Sequence, residues 1–228
     1  MLQRTKQSPV ALLGSLCAAI AFCVAAAASA QNAADPENLS TNARFLVAAR
    51  NADAAAIKRE LAAGAMVNSR NRLGESALVI VLKKERADLA TVLLDAGADV
   101  NLAAVNGITP LMAASFAGQD EIVRRLLAQG ANPRAVDRLQ KTAMIYAAGE
   151  GRTGIVRMLV AAGIDPNEVY ANDLTALMWA AGFGKTATVR ALLDAGADPA
   201  RKDNRGKTAA DMAREQGFSE TVALLQPK

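Results

Sequence analysis

The chain has 228 residues, of which 52% are hydrophobic, 4% aromatic and 21% charged, with 26 lysines and arginines against 22 aspartates and glutamates. This hydrophobic content excludes an intrinsically disordered chain, and the length allows one or two domains. The sequence contains no histidine. It therefore excludes Ser-His-Asp or Cys-His catalysis and any metal site built on imidazole.

The first thirty residues have the pattern of a secretory signal peptide. Arg4 and Lys6 precede an uncharged apolar run over 9–28, and the small residues Ala28, Ser29 and Ala30 follow it. This order predicts cleavage after Ala30, with a short linker at 31–37. An uncleaved membrane anchor is the alternative, because the apolar run is about long enough to span a bilayer.

Removal of the signal peptide changes the charge and the redox chemistry of the chain. The net charge falls from +4 to +2, and both cysteines, Cys17 and Cys23, leave with the signal peptide. A mature chain without cysteine has no disulfide and depends on its core for stability. We expect a periplasmic or secreted protein, and the high alanine content favours a bacterial source.

Three series of residues recur with one spacing through most of the chain. The period is 33 residues in each series, and a fixed period of this length predicts a stack of structural repeats. The members are Gly64, Gly97, Gly130, Gly163 and Gly196; Ser76, Thr109, Thr142, Thr175 and Thr208; and Gly118, Gly151, Gly184 and Gly217.

The run Gly107-Ile108-Thr109-Pro110-Leu111-Met112-Ala113-Ala114 and the run Asp95-Ala96-Gly97-Ala98-Asp99 resemble the ankyrin repeat. The resemblance implies an all-α solenoid of about six helix–turn–helix units with short β-type finger loops, covering 38–228. The units are expected at about 38–70, 71–103, 104–136, 137–169, 170–202 and 203–228.

Each motif residue has a physical role in such a unit. We expect Thr109 to cap the first helix with its hydroxyl and Pro110 to occupy the first turn, where a missing N–H costs nothing. Gly118 then ends this helix in a left-handed conformation. Ile122, Val123, Leu126 and Leu127 place an apolar stripe on the second helix.

The terminal units depart from this pattern. Arg44 stands where the motif has proline, Glu60 where other units have an apolar residue, and Asp211 where they have Val79, Met112, Ile145 or Met178. We expect these substitutions to give the ends of the stack polar outer faces. The second unit also lacks the inner glycine and reads Lys83, Lys84, Glu85, Arg86.

Two glycine-rich segments imitate nucleotide-binding motifs. The run from Gly149 to Gly154 spells a dinucleotide fingerprint, but the repeat places it at the end of a first helix instead of after a strand. The run from Gly182 to Thr186 lacks the first glycine of a phosphate loop, because Trp179 stands there. We expect no cofactor, no metal and no enzymatic activity.

The resemblance implies that binding uses a concave face made of finger tips and first-helix ends. These positions hold 12 basic and 6 acidic residues in units two to six. The candidate partner-binding residues are Arg72, Lys83, Lys84, Val105, Ile108, Phe116, Arg138, Lys141, Tyr170, Leu174, Phe183, Arg205 and Lys207.

The expected function is non-catalytic protein binding, by a monomer, of a partner that carries an acidic surface. An immunity or inhibitor protein that blocks an exported toxin or enzyme, and a secreted effector, are the alternatives. Nucleic acid is not expected because the mature charge is nearly balanced, and no membrane is expected once the signal is cleaved. Simple solvation of the tips is the alternative interpretation, and Tyr146 and Trp179 are either packing residues or anchors.

We predict that the mature protein begins at Gln31, because the Ala-Ser-Ala sequence completes the signal pattern. Intact-mass measurement of the protein from a periplasmic fraction checks this prediction. Full-length chain recovered from the membrane fraction would contradict it.

Overall fold

The computed structural model describes residues 40–226, so the predicted signal peptide, the linker at 31–37 and the last two residues lie outside the described part. Within it, twelve α-helices follow one another in six pairs. They are α1 Thr41–Asn51, α2 Ala54–Ala62, α3 Ala77–Lys83, α4 Ala87–Asp95, α5 Pro110–Ala117, α6 Asp120–Ala128, α7 Ala143–Glu150, α8 Thr153–Ala161, α9 Ala176–Gly182, α10 Thr186–Asp194, α11 Ala209–Glu215 and α12 Ser219–Leu225.

The helices form two layers. The first helix of every pair packs on the first helices of the neighbouring pairs, in the order α1, α3, α5, α7, α9, α11, and the second helices pack behind them. Residues 77–82 of α3 and 143–149 of α7 are all buried. On α6, by contrast, Ile122, Val123 and Leu126 are buried while Arg124 is exposed and Leu127 half-buried. The predicted all-α repeat solenoid is therefore confirmed.

The predicted helix caps are present in most units. The Thr109 hydroxyl accepts a hydrogen bond of 3.2 Å from the Met112 N–H, and Pro110 stands in the first turn of α5. Ser76, Thr175 and Thr208 cap α3, α9 and α11 in the same way. Thr142 is the exception, because its hydroxyl makes no cap bond with α7.

The segments between pairs form fingers, which we number after the unit that follows: finger 2 (63–76), finger 3 (96–109), finger 4 (129–142), finger 5 (162–175) and finger 6 (195–208). Each finger closes on one backbone hydrogen bond of 2.9–3.0 Å, donated by residue 71, 104, 137, 170 or 203 to the carbonyl four residues later. Among the described residues, β-structure is limited to one bridge between Arg70 and Ser76.

The turn between the two helices of a unit needs a left-handed residue. Gly118, Gly151, Gly184 and Gly217 supply it with φ between 63° and 77°. In the first two units the equivalent residues are Ala52 and Glu85, with φ of 54° and 58°. A side chain in this conformation costs about 1–2 kcal/mol. Glu85, which replaces the glycine in the second unit, therefore strains the backbone there.

The terminal units differ from the expected polar outer faces. Glu60 is only 3% exposed, and its carboxylate accepts hydrogen bonds from the guanidinium groups of Arg44 and Arg59. Burial opposes ionisation of Glu60, but these two cations outweigh it and lower the pKa of Glu60. The expectation was therefore wrong for Glu60, which forms an internal ion pair because Arg44 can reach it from α1. Asp211 instead completes a capping box with Thr208.

We expect Glu85→Gly to stabilise the protein by about 0.5–1 kcal/mol, since glycine removes the left-handed penalty but adds freedom to the unfolded chain. Urea denaturation checks this. The control is Lys84→Gly, at a neighbouring residue with φ of −94°, which is expected to lose stability. Equal losses in both variants would contradict the strain at Glu85.

Candidate protein-binding face

We define the inner face as fingers 2 to 6 together with the C-terminal ends of α3, α5, α7, α9 and α11. Large apolar side chains that are at least 46% exposed occur in the described residues only within the fingers: Met66, Leu73, Val105, Val136, Leu139 and Val169. Sequence reasoning found Val105 and missed the others. The repeat carried a usable signal, because Leu73 and Leu139 are equivalent positions, as are Val136 and Val169.

The structure divides the twelve basic residues at the finger-tip and first-helix-end positions into groups. Six are held by the chain itself through carboxylates or backbone carbonyls. They are Arg70 (Gly74 and Ala103 carbonyls), Lys83 (Glu75), Arg86 (Asp88 and the Ala52 carbonyl), Arg152 (Phe116 carbonyl), Arg205 (Asp203) and Lys207 (Glu215).

Five other cations have no side-chain hydrogen bond or ion pair within residues 40–226. These are Arg72, Lys84, Arg138, Lys185 and Lys202. The positive charge available to a partner is therefore smaller than the sequence indicates. Arg72, Arg138 and Lys202 supply it from the fingers, and Lys84 and Lys185 from the helix ends.

The acidic residues of the face are mostly engaged. Glu75, Asp203 and Glu215 form ion pairs with lysine or arginine. Asp137 is buried and accepts a hydrogen bond of 2.5 Å from the Tyr146 hydroxyl and two from backbone N–H groups. Asp173 is exposed and has no such partner in the described chain. At the finger tips and helix ends the uncommitted charge is thus mainly positive.

Arg205, a candidate binding residue like Arg72 and Arg138, does not occupy the same finger position as these two. Arg72 and Arg138 are equivalent positions, whereas Arg205 is equivalent to Leu73 and Leu139. Its guanidinium folds back onto Asp203 of the same finger at 2.5 Å. Backbone N–H groups and this guanidinium also lower the pKa of Asp203, against the opposing effect of burial.

Four aromatic side chains and one lysine meet in the middle of the face. Phe116 contacts Tyr146 edge-on, with ring centroids 6.0 Å apart, and Trp179 stacks on Phe183 at 6.1 Å. The Lys141 ammonium joins the two pairs, at 4.6 Å from the Trp179 centroid and 5.6 Å from that of Tyr146. We call Phe116, Tyr146, Trp179 and Phe183 the aromatic cluster.

The aromatic cluster explains the role of the glycine-rich run from Gly149 to Gly154. Gly149 lies in α7 beneath the rings, where an added Cβ would be 3.7 Å from Trp179 and 3.8 Å from Phe183. Gly151 is the left-handed residue that ends α7. The segment therefore serves helix packing and the turn, as the repeat predicts.

Tyr170 and Ala104 are the two members of their finger position that have no side-chain oxygen placed to cap the finger. Asn71, Asp137 and Asp203 occupy the equivalent positions, and a side-chain oxygen of each accepts the N–H groups two and four residues later. Tyr170 cannot cap its finger in this way and is half-buried instead, as are Ile108 and Leu174. Burial, reinforced by the charge of Glu168, raises the pKa of Tyr170 to about 12, while the neighbouring Thr142 hydroxyl acts in the opposite direction.

We expect the Tyr170 phenol to ionise near pH 12 in the folded protein. The unfolded chain loses this proton near pH 10, so the folded state holds it more tightly and stability falls as the pH rises from about 10 to about 12. Absorbance at the phenolate band, as the difference between wild type and Tyr170→Phe, isolates this group. A midpoint near pH 10, with circular dichroism still folded, would contradict the burial of the hydroxyl.

Two kinds of feature are absent from the described part of the chain. Residues 40–226 contain no group of three or more acidic or cysteine side chains placed to hold a metal ion. Among the twelve helices, none combines the length and the hydrophobicity needed to cross a bilayer.

Comparison with known proteins agrees with the repeat architecture. The chain is 40% identical over 81 residues to the inactive serine/threonine-protein kinase TEX14 of Bos taurus, and 36% identical over 81 residues to that of Mus musculus. Each match covers 36% of this chain, but only 5% and 6% of those proteins. The family model for ankyrin repeats (3 copies) matches residues 45–137, 103–170 and 144–228. The chain therefore belongs to the ankyrin repeat family.

Proposed function

We propose that this protein is a non-catalytic scaffold that binds a partner protein through its inner face. The observation that carries the proposal is the confinement of the large exposed apolar side chains to the fingers. A contiguous exposed apolar surface is typical of an interaction site. Uncommitted cations such as Arg138 and Lys185 around it give the arrangement of an apolar centre with a polar rim.

The fingers are also held in place before any partner arrives. Their backbone hydrogen bonds and the buried first helices beneath them fix the exposed side chains. A preformed surface loses little conformational entropy on binding. This arrangement favours a binding role.

We further propose that the protein acts in the periplasm or outside the cell, as the pattern of residues 1–30 indicates. An inhibitor or immunity protein is the second candidate. The extent of the apolar row, from finger 2 to finger 5, suits a protein that covers a large area of its partner.

The test is crosslinked capture of partners by inner-face and second-helix variants, with identification by mass spectrometry. The inner-face variant carries Val105→Glu and Val169→Glu, and the matched control carries Ala187→Glu and Ala223→Glu. All four residues are exposed, so circular dichroism should show both variants folded.

We expect the inner-face variant to lose at least about tenfold of the captured partner, because a charge at an interface centre removes an anchor contact. The control should retain wild-type capture. Loss in the control with retention in the inner-face variant would place the binding surface on the second helices and refute the proposal.

A further inference from the structure

Neighbouring fingers are joined at their tips by one backbone hydrogen bond, with one exception. The Val105 N–H donates to the Leu73 carbonyl at 2.9 Å, Arg138 to Asn106 at 3.0 Å, and Asn204 to Asn172 at 3.1 Å. In the described chain no equivalent bond joins fingers 4 and 5, so the Leu139 carbonyl accepts no backbone N–H. We call this gap the open joint.

The residues at the finger tips account for the open joint. At Gly107 an added Cβ would lie 2.7 Å from the Asp137 Cα, so the absence of a side chain lets the next finger approach. The equivalent residue of finger 4 is Gln140, which has a Cβ and a φ of 58°. Finger 5 in turn bends into a 3₁₀ turn at Ala171–Asp173, with Asn172 and Asp173 both left-handed.

A second, independent series is interrupted at the same junction. The side-chain oxygens of Asn68, Asn101 and Asn167 accept the N–H of the next unit at 2.7–2.8 Å. Arg134 stands at the equivalent position between fingers 4 and 5, donates to the Gly163 carbonyl and pairs with Glu168. The base of this junction is therefore held by an arginine, while its tip stays open.

Groups that can bind an extended peptide lie together at the open joint. The Leu139 carbonyl is an unused acceptor, and the Leu139 and Val169 side chains are 52% and 46% exposed. The Arg138 side chain has no hydrogen bond or ion pair among the described residues. Lys141, two residues after Leu139, contacts the Trp179 ring of the aromatic cluster.

We infer that the open joint is the docking site for an extended, acidic segment of the partner protein. The inference rests on the proposed function and specifies its site and its partner chemistry. A backbone N–H of the segment donates to the Leu139 carbonyl, and an aromatic or aliphatic side chain packs over Leu139 and Val169. A carboxylate of the segment pairs with Arg138.

Charge complementarity selects an acidic segment over a basic one. At the finger-tip and helix-end positions counted above, five cations have no hydrogen bond or ion pair, against the single carboxylate of Asp173. The Tyr146 and Trp179 rings could attract a cation from a partner, but the chain's own Lys141 ammonium already lies over both. A cationic ligand would therefore have to displace it.

The chain supplies a matched control for this site. Fingers 2 and 4 carry the same dipeptide at equivalent positions, Arg72-Leu73 and Arg138-Leu139. Both leucines are more than half exposed, but the Leu73 carbonyl is taken by Val105 whereas the Leu139 carbonyl is not. Substitutions at the two positions thus compare a junction closed by this hydrogen bond with one that lacks it.

The experiment measures fluorescence polarisation of three labelled synthetic peptides with the purified protein. One peptide has acidic residues around a central phenylalanine, the second replaces the phenylalanine with alanine, and the third replaces the acids with lysines. The variants are Arg138→Glu and Leu139→Asp, with Arg72→Glu and Leu73→Asp as controls.

We expect the acidic phenylalanine peptide to bind best and to lose about tenfold in affinity in each finger 4 variant, as for an anchor or a paired charge. The finger 2 controls should change its affinity by less than about twofold. Equal losses in the two fingers, equal binding of the lysine peptide, or no binding of the acidic peptide would overturn the inference.

The two proposals fail in different ways. Retained partner capture by the Val105→Glu, Val169→Glu variant refutes the proposed function itself. If that variant loses its partner but the finger 2 and finger 4 substitutions change peptide affinity equally, the inner face binds protein. Only the assignment of the docking site to the open joint is then wrong.

Discussion

The burial of each first helix between two neighbours is the constraint on which the whole structure depends. Residues 110–115 of α5 and 143–149 of α7 are buried without a solvent-facing side. Without the adjacent units such a helix would expose its apolar side chains to water. The stability of each unit therefore depends on its neighbours in the stack. Small residues such as Ala113, Ala114 and Ala147 make this possible, because they let helix axes approach closely.

This constraint also determines where function can reside. Side chains on the first helices are used for packing, except at the helix ends, where Phe116 and Phe183 are half-buried. The fingers are fixed at their bases by the same helices, and their tips alone are free to vary. The large exposed apolar side chains and the aromatic cluster therefore lie in the fingers or at helix ends.

The sequence was sufficient for the fold because the period of 33 residues and its capping threonines are local signals. Thr109, Pro110 and Gly118 act as predicted, since each role needs only its own neighbours in the chain. The buried ion pair of Glu60 was not predictable in this way, because it depends on Arg44 reaching across from another helix.

The candidate site was only partly predictable for the same reason. The sequence identified which positions face outward, and so it found Arg138, Phe116 and Phe183. It could not show which cations the chain itself binds, because partners such as the Phe116 carbonyl for Arg152 come from a different unit. Nor could it join Lys141 to Trp179, which lie in adjacent units.

The departures from the repeat are not distributed evenly. On the finger side three of them gather at one junction, where Arg134 replaces an asparagine, Gln140 a glycine and Tyr170 a finger-capping residue, while Ala104 replaces the capping residue of finger 3. Thr142, beside them, does not cap its helix. The first two units have their own departures, Ala52 and Glu85, but these lie in the turn between helices and leave fingers 2 and 3 joined.

Local rules that are broken together, without a gain in packing, are expected at sites kept for function. At this junction Tyr170 makes no side-chain cap and the finger tips share no backbone hydrogen bond, whereas Arg134 keeps the base joined to Gly163 and Glu168. The helices beneath are unaffected, since α7 and α9 pack as the other first helices do. The stack therefore tolerates an opening at its finger tips because its stability comes from the helices, and that separation allows one junction to differ while the fold remains regular.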